Sequence, residues 1–436
     1  MKYPISPRLQ LIRELAHREG GAGKVVLLVY DGLGGIPNNA AGQTELEAAE
    51  TPNLDRLAAA GSLAVHDPIG PGFTPGSGIA HLSLFGHDPQ VYEIGRGVLA
   101  NFGARCFEPK VMQVGEVAAR INFCTVEEQD GGLIVLDRRA GRIGDGPAAK
   151  LIALLNERVN IEGVDFRFFH SKEYRGVLHL RGEGWSGELI DTDPQATGVA
   201  PHQPAPVPEA KDDAAAQKTA QVVAEILRQA REALQELHPA NFILTRGFDT
   251  YHKLPDFPAI TGMKSVAVAA YPDYRGVARL LHMAVAETAE DVVNREREPG
   301  DKLEISVESE FDTIERVWND YDFFFVHIKK TDSYGEDGNF DAKVKVIEQV
   351  DALIPRIEKL GPAVICVTGD HSTPTAMKAH SFHPVPVLFA GELVIPDDQD
   401  SFGERACARG GHGRVHGTDL LPLMMAYAGR LKKQGA

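Results

Sequence analysis

The sequence has few of the features that mark disulfide-rich or membrane-spanning proteins. It contains four cysteines in 436 residues, and none of them forms a CxxC pair. We therefore expect reduced, mostly structural thiols in a cytosolic protein. No apolar run approaches the roughly 18 residues that cross a bilayer, and residues 1–21 lack the apolar segment of a signal peptide. These absences predict a cytoplasmic protein with no membrane partner.

An excess of basic charge is also missing. The chain has 45 Lys and Arg residues against 61 Asp and Glu residues, which gives a formal net charge of −16. Because nucleic-acid phosphates require a basic surface, we expect no nucleic-acid partner. A local group of arginines can still bind a small anion against this overall field.

The order of apolar runs predicts an α/β protein. Its length suggests two or three domains. Buried strands are expected in the apolar runs Lys24–Tyr30, Ser265–Ala270, Phe323–Ile328 and Ala363–Val367, with helices at 53–60, 276–287 and 340–360. Strands that alternate with helices favour a parallel sheet covered on both faces.

The middle of the chain has a different pattern of apolar and polar residues. Short β-like runs separated by Gly, Asp and Arg turns precede a long helical pattern at about 213–237. We therefore predict a discontinuous core of residues 1–105 and 255–436, interrupted by an inserted α+β domain at 106–254.

A candidate metal site begins at the segment VICVTGDHSTP (364–374). A buried strand ends there in Asp370 and His371. In open α/β sheets, sites form at the carboxyl ends of the strands, and a carboxylate with an imidazole suits Zn or Mn. The alternative for such a pair in isolation is an ordinary surface loop.

Other polar residues follow predicted strands or lie in Gly-rich segments. They are Asp31, Ser77, Asp332 and His380. Any one alone is typical of a turn or a helix cap. Together at strand ends they favour a metal site, because parallel strands bring distant positions to one edge.

Arginines are the notable feature of the predicted insertion. They include Arg120, Arg138, Arg139, Arg142, Arg175, Arg181 and Arg246. The planar guanidinium group matches carboxylate and phosphate oxygens in pairs. The cluster indicates either a phosphate-carboxylate pocket or solvated hairpin edges.

Several segments form a recognisable series along the chain: VVLLVYDGLGG (25–35), ETPNLDRLAAAG (50–61), GPGFTPGSGIAHLSLFGHDP (70–89), DRRAGR (137–142), VHIKKTD (326–332), GDHSTP (369–374), HPVPVLFAG (383–391) and GTDLLPLMM (417–425). In this order they resemble the archaeal-type, cofactor-independent phosphoglycerate mutases of the alkaline phosphatase superfamily. They span nearly the whole chain. The resemblance implies an alkaline-phosphatase-like core and interconversion of 3-phosphoglycerate and 2-phosphoglycerate.

The resemblance also implies a site for two divalent metal ions. Asp31, Asp370, His371 and Ser77 would hold one ion, and Asp332 and His380 the other. Mn²⁺ is favoured, with Mg²⁺, Co²⁺ or Zn²⁺ as alternatives. Ser77 would be the nucleophile that carries a phosphoserine intermediate. The substrate-binding residues would be Arg138, Arg139, Arg142, Arg175, Arg246 and Lys330, and the inserted domain would clamp the substrate and exclude water.

The chain departs from the family pattern at Glu336, where the family has a metal-binding histidine. Asp332 and Glu336 keep an i, i+4 relation, so we expect both carboxylates to face the second metal. This change would favour Mn or Mg over Zn. His383, His412 and His416 also depart from the commoner family residues, and one of them could replace the missing ligand.

These departures leave two other functions open. One is a phosphatase or phosphotransferase that acts on another small phosphorylated metabolite. The other is a non-catalytic binding protein with a degenerate site. The sequence leaves the oligomeric state undetermined.

Overall fold

The computed structural model describes residues 3–17, 23–129, 131–289, 291 and 307–435. The strands are β1 (Val25–Tyr30), β2 (Ser62–Asp67), β3 (Val117–Gln129), β4 (Gly132–Asp137), β5 (Phe166–His170), β6 (Arg175–Leu180), β7 (Phe242–Thr250), β8 (Ser265–Ala269), β9 (Ala284–Val285), β10 (Phe323–Ile328), β11 (Val364–Thr368), β12 (Val385–Gly391) and β13 (Gly413–His416). Among the described residues, no helix is both long and apolar enough to cross a membrane.

The chain forms two compact units. The inserted unit comprises residues 94–253, and the discontinuous unit includes the described residues within 3–93, 254–295 and 304–436. The first boundary lies at residue 94, not at 106 as the sequence suggested. The reason is that helix Arg96–Ala104 packs against β3 and β7 of the inserted unit.

An eight-stranded sheet forms the centre of the discontinuous unit, in the order β13-β2-β12-β11-β1-β10-β8-β9. β1 pairs in parallel with both β10 and β11, whereas β12 runs antiparallel to β11 and β2. Every residue of β1, β10 and β11 is buried. Such continuous apolar runs are typical of parallel strands that have both faces covered. The predicted α/β architecture is confirmed, although the sheet is mixed.

Helices accompany this sheet along the chain. Their bounds are Pro7–Leu15, Glu45–Ala48, Pro52–Ala59, Ser77–Leu84, Phe257–Thr261, Pro272–Leu280, Glu308–Val317, Lys330–Asp337, Phe340–Asp351, Ile354–Lys359, Glu404–Cys407 and Leu420–Tyr427. Two predicted helices were wrong in extent. The helix expected at 276–287 ends at Leu280, and β9 follows it. The helix expected at 340–360 is two helices, Phe340–Asp351 and Ile354–Lys359, because Pro355 lies in the first turn of the second one and cannot continue the first.

The inserted unit has a five-stranded sheet in which β3 is the longest strand. β3 pairs antiparallel with β6 and β7 along its first part and with β4 along its last part. The helices of this unit are Arg96–Ala104, Asp145–Arg158 and Ala214–Leu234. The last of these confirms the long helix predicted at about 213–237. Its buried side chains, including Val223 and Ile226, pack with Ile121 and Phe123 of β3 in one apolar core.

Candidate metal centre

Two acidic loops meet where β1 and β11 end side by side. Asp31 follows β1, and Asp370 and His371 follow β11. All three side chains are fully buried. His371 Nε2 lies 3.3 Å from Asp31 Oδ1 and 3.2 Å from Asp370 Oδ2. One ligand atom from each residue falls within 4.8 Å of the others, as a shared metal ion requires.

Ser77 lies directly against this group. Its hydroxyl Oγ is 3.1 Å from His371 Nε2. Ser77 is the first residue of helix Ser77–Leu84, with Gly76 at the N-cap. The backbone N–H groups in the first turn of a helix favour a bound anion.

A second group of potential ligands adjoins the first and shares one member with it. Asp332, His371 and His380 can each place one ligand atom within 4.8 Å of the others. His380 Nε2 lies 3.6 Å from Asp332 Oδ1, and the His380 ring stacks on the His371 ring at 3.7 Å. The Thr373 hydroxyl donates to Asp332 Oδ1 at 2.7 Å and lies 3.0 Å from His371 Nδ1. The structure therefore brings together two adjacent sites with only oxygen and nitrogen donors.

Lys329, which the sequence reasoning missed, holds the two carboxylate groups together. Its ammonium Nζ is 2.9 Å from Asp31 Oδ2 and 2.5 Å from Asp332 Oδ2. The sequence reasoning had instead chosen its neighbour Lys330. Lys329 is the first residue after β10, whereas Lys330 begins helix Lys330–Asp337 and has no ion pair with Asp31 or Asp332 among the described residues. Since both lysines occur in one motif, only the geometry separates them.

The pKa values of the two buried carboxyl groups, Asp31 and Asp370, are shifted in opposite directions. Burial would raise the pKa of Asp31, but the Lys329 ammonium and His327 outweigh it and hold that pKa well below its usual value. For Asp370, burial and the Asp31 charge together raise the pKa well above its usual value. Asp31 is therefore ionised and Asp370 tends to keep a proton.

Two buried oxygens in this cluster indicate whether the site suits a cation. Asp31 Oδ1 and Asp370 Oδ2 have no hydrogen-bond partner among the described residues. Buried polar atoms are normally satisfied, so a pair of unsatisfied carboxylate oxygens beside an imidazole points to a ligand that supplies positive charge. The residues present fit a divalent metal ion.

A layer of aromatic and histidine side chains supports the first group, and the sequence reasoning also missed it. The Tyr274 hydroxyl donates to Asp31 Oδ2, and its ring stacks on His327 at 3.6 Å. His81 Nδ1 lies 3.3 Å from Asp370 Oδ2. A usable signal existed for His81, because it follows Ser77 by four residues and so shares a helix face with it. His327 lies within the apolar run of β10, where no sequence pattern distinguishes it from an ordinary core residue.

Glu336 does not join the second group as the sequence suggested. It lies on helix Lys330–Asp337 with Asp332, yet its side chain is exposed while Asp332 is 2% exposed. The face that packs inward contains Gly335, where an added Cβ would meet the Thr373 carbonyl oxygen at 2.4 Å. Glu336 is thus exposed and outside both ligand groups of the described residues, unlike the expected pairing with Asp332.

The predicted substrate arginines lie in the inserted unit, and only some of them come together. Arg138 donates to both oxygens of Asp193, at 2.7 and 2.8 Å. Arg246 Nε is 3.6 Å from Asp193 Oδ2, and this buried nitrogen has no hydrogen-bond partner among the described residues. Burial, with the charge of Arg96 nearby, lowers the pKa of Arg246.

The remaining arginines are placed differently. Arg175 forms an ion pair with Glu173 at 2.9 Å and lies over the Tyr174 ring. Arg139 and Arg142 are exposed.

The three additional histidines are outside both ligand groups. His383 Nδ1 lies 3.0 Å from Ser381 Oγ, and His412 Nε2 lies 2.7 Å from the Tyr427 hydroxyl. His416 is exposed at the end of β13. The ligand groups found among the described residues contain none of them, and a compensating role for one of these histidines stays a prediction.

Comparison with known proteins gives consistent matches over nearly the whole chain. The model of the metalloenzyme superfamily matches residues 23–427. A probable 2,3-bisphosphoglycerate-independent phosphoglycerate mutase of Thermotoga maritima is 47% identical, covering 95% of this chain and 96% of that protein. The protein with the same name in Aquifex aeolicus is 41% identical, covering 98% of this chain and 100% of its own.

Solved structures agree with these relatives. The PH0037 protein of Pyrococcus horikoshii is 30% identical with a TM-score of 0.78, covering 95% of this chain and 100% of that one. The cofactor-independent phosphoglycerate mutase of Thermoplasma acidophilum is 29% identical with a TM-score of 0.65, covering 93% of this chain and 100% of its own.

Proposed function

The chain belongs to the metalloenzyme superfamily and, within it, to the 2,3-bisphosphoglycerate-independent phosphoglycerate mutases, and from this premise we propose that it interconverts 3-phosphoglycerate and 2-phosphoglycerate through a phosphoserine at Ser77. The observation that carries the proposal is the position of the Ser77 hydroxyl, 3.1 Å from His371 Nε2 in the buried ligand cluster.

The proposed reaction is two phosphoryl transfers. Ser77 Oγ forms a bond to phosphorus while the bond from phosphorus to the C3 oxygen breaks, and the serine proton is balanced by the proton that the released oxygen takes up. In the second transfer, the C2 hydroxyl oxygen of the retained glycerate forms a bond to phosphorus while the bond from phosphorus to Ser77 Oγ breaks, and the proton lost by this hydroxyl is balanced by the one that Ser77 takes up. No water and no net proton are consumed.

Two divalent ions are proposed as cofactors. Asp31, Asp370, His371 and Ser77 would hold one, and Asp332 and His380 the other, with His371 lying between the two groups. When bound, the ions would lower the pKa of the Ser77 hydroxyl and offset charge on the phosphoryl oxygens. The donor set of carboxylates, imidazoles and a hydroxyl supports Mn²⁺, with Mg²⁺, Co²⁺ and Zn²⁺ as the other candidates.

The chain's own cations supply the remaining recognition. Lys329, already between Asp31 and Asp332, is proposed to contact the transferring phosphoryl group. Arg138 and Arg246 are proposed to bind the substrate carboxylate, because a planar guanidinium pairs with it through two hydrogen bonds. As an enzyme of glycolysis and gluconeogenesis, the protein would act in the cytoplasm. Its four cysteines are buried and free, as that compartment favours.

The test is product analysis with the full chain. The protein is stripped of metal, reconstituted with Mn²⁺ and given 3-phosphoglycerate without any bisphosphoglycerate, and phosphorus NMR follows 2-phosphoglycerate and free phosphate. The proposal predicts isomerisation with little free phosphate, and loss of turnover in excess chelator. Free phosphate without 2-phosphoglycerate would indicate a phosphatase instead, and no turnover by the metal-loaded protein would also overturn the proposal.

A further inference from the structure

A lysine is buried directly beneath the metal-binding loops. Lys343, on helix Phe340–Asp351, is 0% exposed. Its ammonium Nζ donates to the backbone carbonyl oxygens of Gly32 at 2.9 Å, Thr373 at 2.9 Å and Gly34 at 3.4 Å. Lysine is rarely fully buried, because desolvating an ammonium group is costly. Here its three donors each meet an acceptor.

The three acceptors belong to the two loops that carry the first ligand group. Gly32 directly follows Asp31, and Thr373 follows His371 by two residues. The loops also bond to each other, since the Thr373 N–H donates to the Gly34 carbonyl at 3.1 Å. Lys343 therefore joins the loop after β1 to the loop after β11.

Two carboxylates hold the far ends of the same loops. Glu45 Oε1 accepts from the Thr375 N–H at 2.8 Å, and Glu404 Oε1 accepts from the Gly35 N–H at 2.9 Å. Glu45 is 0% exposed. Burial lowers the pKa of Lys343, and the nearby Glu45 and Glu404 partly offset this effect, while burial raises the pKa of Glu404 itself to about 7. The loops are therefore held by hydrogen bonds to Lys343 and to these two carboxyl groups.

We propose that Lys343 is a positioning residue for the metal centre: it fixes the separation between Asp31 and the pair Asp370–His371 before a metal ion binds. Without this tether the two loops would no longer be joined through one ammonium group, so their ligand atoms would be less firmly placed and would bind metal less tightly. The same contact places the Thr373 hydroxyl, which bonds to Asp332 and His371, and so extends to the second group. The inference rests on the metal requirement in the proposed function.

The experiment compares Lys343→Met with Lys345→Met in the full chain. Lys345 lies on the same helix but is exposed, so it is a matched control. Mn²⁺ is titrated by calorimetry into metal-stripped protein, at a temperature where circular dichroism shows every variant folded. We expect Lys343→Met to weaken Mn²⁺ binding by about 10- to 100-fold, as for other residues that orient ligands, and Lys345→Met to bind like the wild type. Because only folded protein is compared, a role in stability alone would leave the dissociation constant unchanged.

Unchanged Mn²⁺ affinity in folded Lys343→Met would overturn the inference. If that variant does not fold, Lys343→Gln replaces it, since its amide keeps two donors but lacks the charge and the reach; wild-type affinity in Lys343→Gln would overturn the inference equally. A wild-type protein that binds no Mn²⁺ would reject the proposed metal cofactor, and the inference with it. The wild type can also bind Mn²⁺ and isomerise 3-phosphoglycerate while the Lys343 variant binds Mn²⁺ with the same affinity. That result would reject the inference but leave the proposed function intact.

Discussion

Lys329 Nζ lies between Asp31 Oδ2 and Asp332 Oδ2, at 2.9 and 2.5 Å. One ammonium group thus bridges a carboxylate from each of the two ligand groups. The charge of Asp31 outweighs the effect of burial and raises the pKa of Lys329 well above its usual value, so the lysine stays charged throughout the neutral range. A fixed positive charge here can stabilise both the empty carboxylate cluster and a phosphoryl group that enters it.

Replacing Lys329 should therefore slow catalysis, whereas replacing its neighbour should not. We expect Lys329→Met to lower kcat by about 10²-fold, the usual scale for removing one fixed group that stabilises transition-state charge. Lys330→Met should stay close to the wild type, because Lys330 has no ion pair with the ligand carboxylates among the described residues. Steady-state isomerisation kinetics at saturating Mn²⁺ measure both. Equal losses in the two variants would remove the distinction between the lysines.

Glu336 should be dispensable for metal binding, because it is exposed and outside both ligand groups. Glu336→Ala is expected to change the Mn²⁺ dissociation constant by no more than about twofold. His380→Ala, which removes a proposed ligand, should weaken one of the two binding events by about tenfold or more. Calorimetric titration of both variants decides the point, and a loss in Glu336→Ala as large as that in His380→Ala would make Glu336 a ligand after all.

Arg246 should matter more for substrate affinity than Arg139. Arg246 is largely buried with an unsatisfied Nε, whereas Arg139 is exposed. We expect Arg246→Met to raise KM for 3-phosphoglycerate by about tenfold or more, the scale of a charge-assisted hydrogen bond. Arg139→Met should leave KM near the wild-type value. The reverse order would place the carboxylate-binding surface elsewhere in the inserted unit.

Acid should destabilise the fold partly through His66. This side chain is 0% exposed, its Nε2 bonds to the Gly369 carbonyl at 3.0 Å, and burial lowers its pKa to about 4. Since the unfolded chain binds this proton near pH 6.5 and the folded chain does not, the free energy of unfolding falls as the pH drops from about 6.5 towards 4. Between pH 7 and 5 the His66 contribution is about 2 kcal/mol.

Urea unfolding at pH 7 and pH 5, in the presence of a chelator, measures this effect. His66→Gln keeps a donor for the Gly369 carbonyl but does not titrate, so it should lose about 2 kcal/mol less than the wild type over this interval. Identical pH dependence in the two proteins would show that His66 is protonated without cost in the fold.

The sequence predicted the parts of the site that depend on strand order. Asp31, Asp370 and His371 each follow a continuous apolar run, and parallel strands place such ends together. The α/β architecture and the family resemblance are confirmed by the fold and the comparisons.

What sequence reasoning missed depends on side-chain direction and on packing between distant segments. Choosing Lys329 over Lys330, or finding Glu336 exposed, requires knowing where helix Lys330–Asp337 begins and which face meets Thr373. Lys343 reads as an ordinary helix lysine, and only its contacts with Gly32 and Thr373 reveal its burial. The roles of these residues remain predictions.

Trapping the phosphoenzyme tests the central claim most directly. Metal-loaded protein is mixed with 3-phosphoglycerate that carries a radiolabelled phosphoryl group, quenched in acid within the first turnovers, and digested for peptide mapping. The account predicts label on the peptide that contains Ser77, none in Ser77→Ala, and normal labelling in Ser83→Ala, a control on the same helix. Isomerisation by Ser77→Ala, or wild-type turnover with the label on another residue, would contradict it.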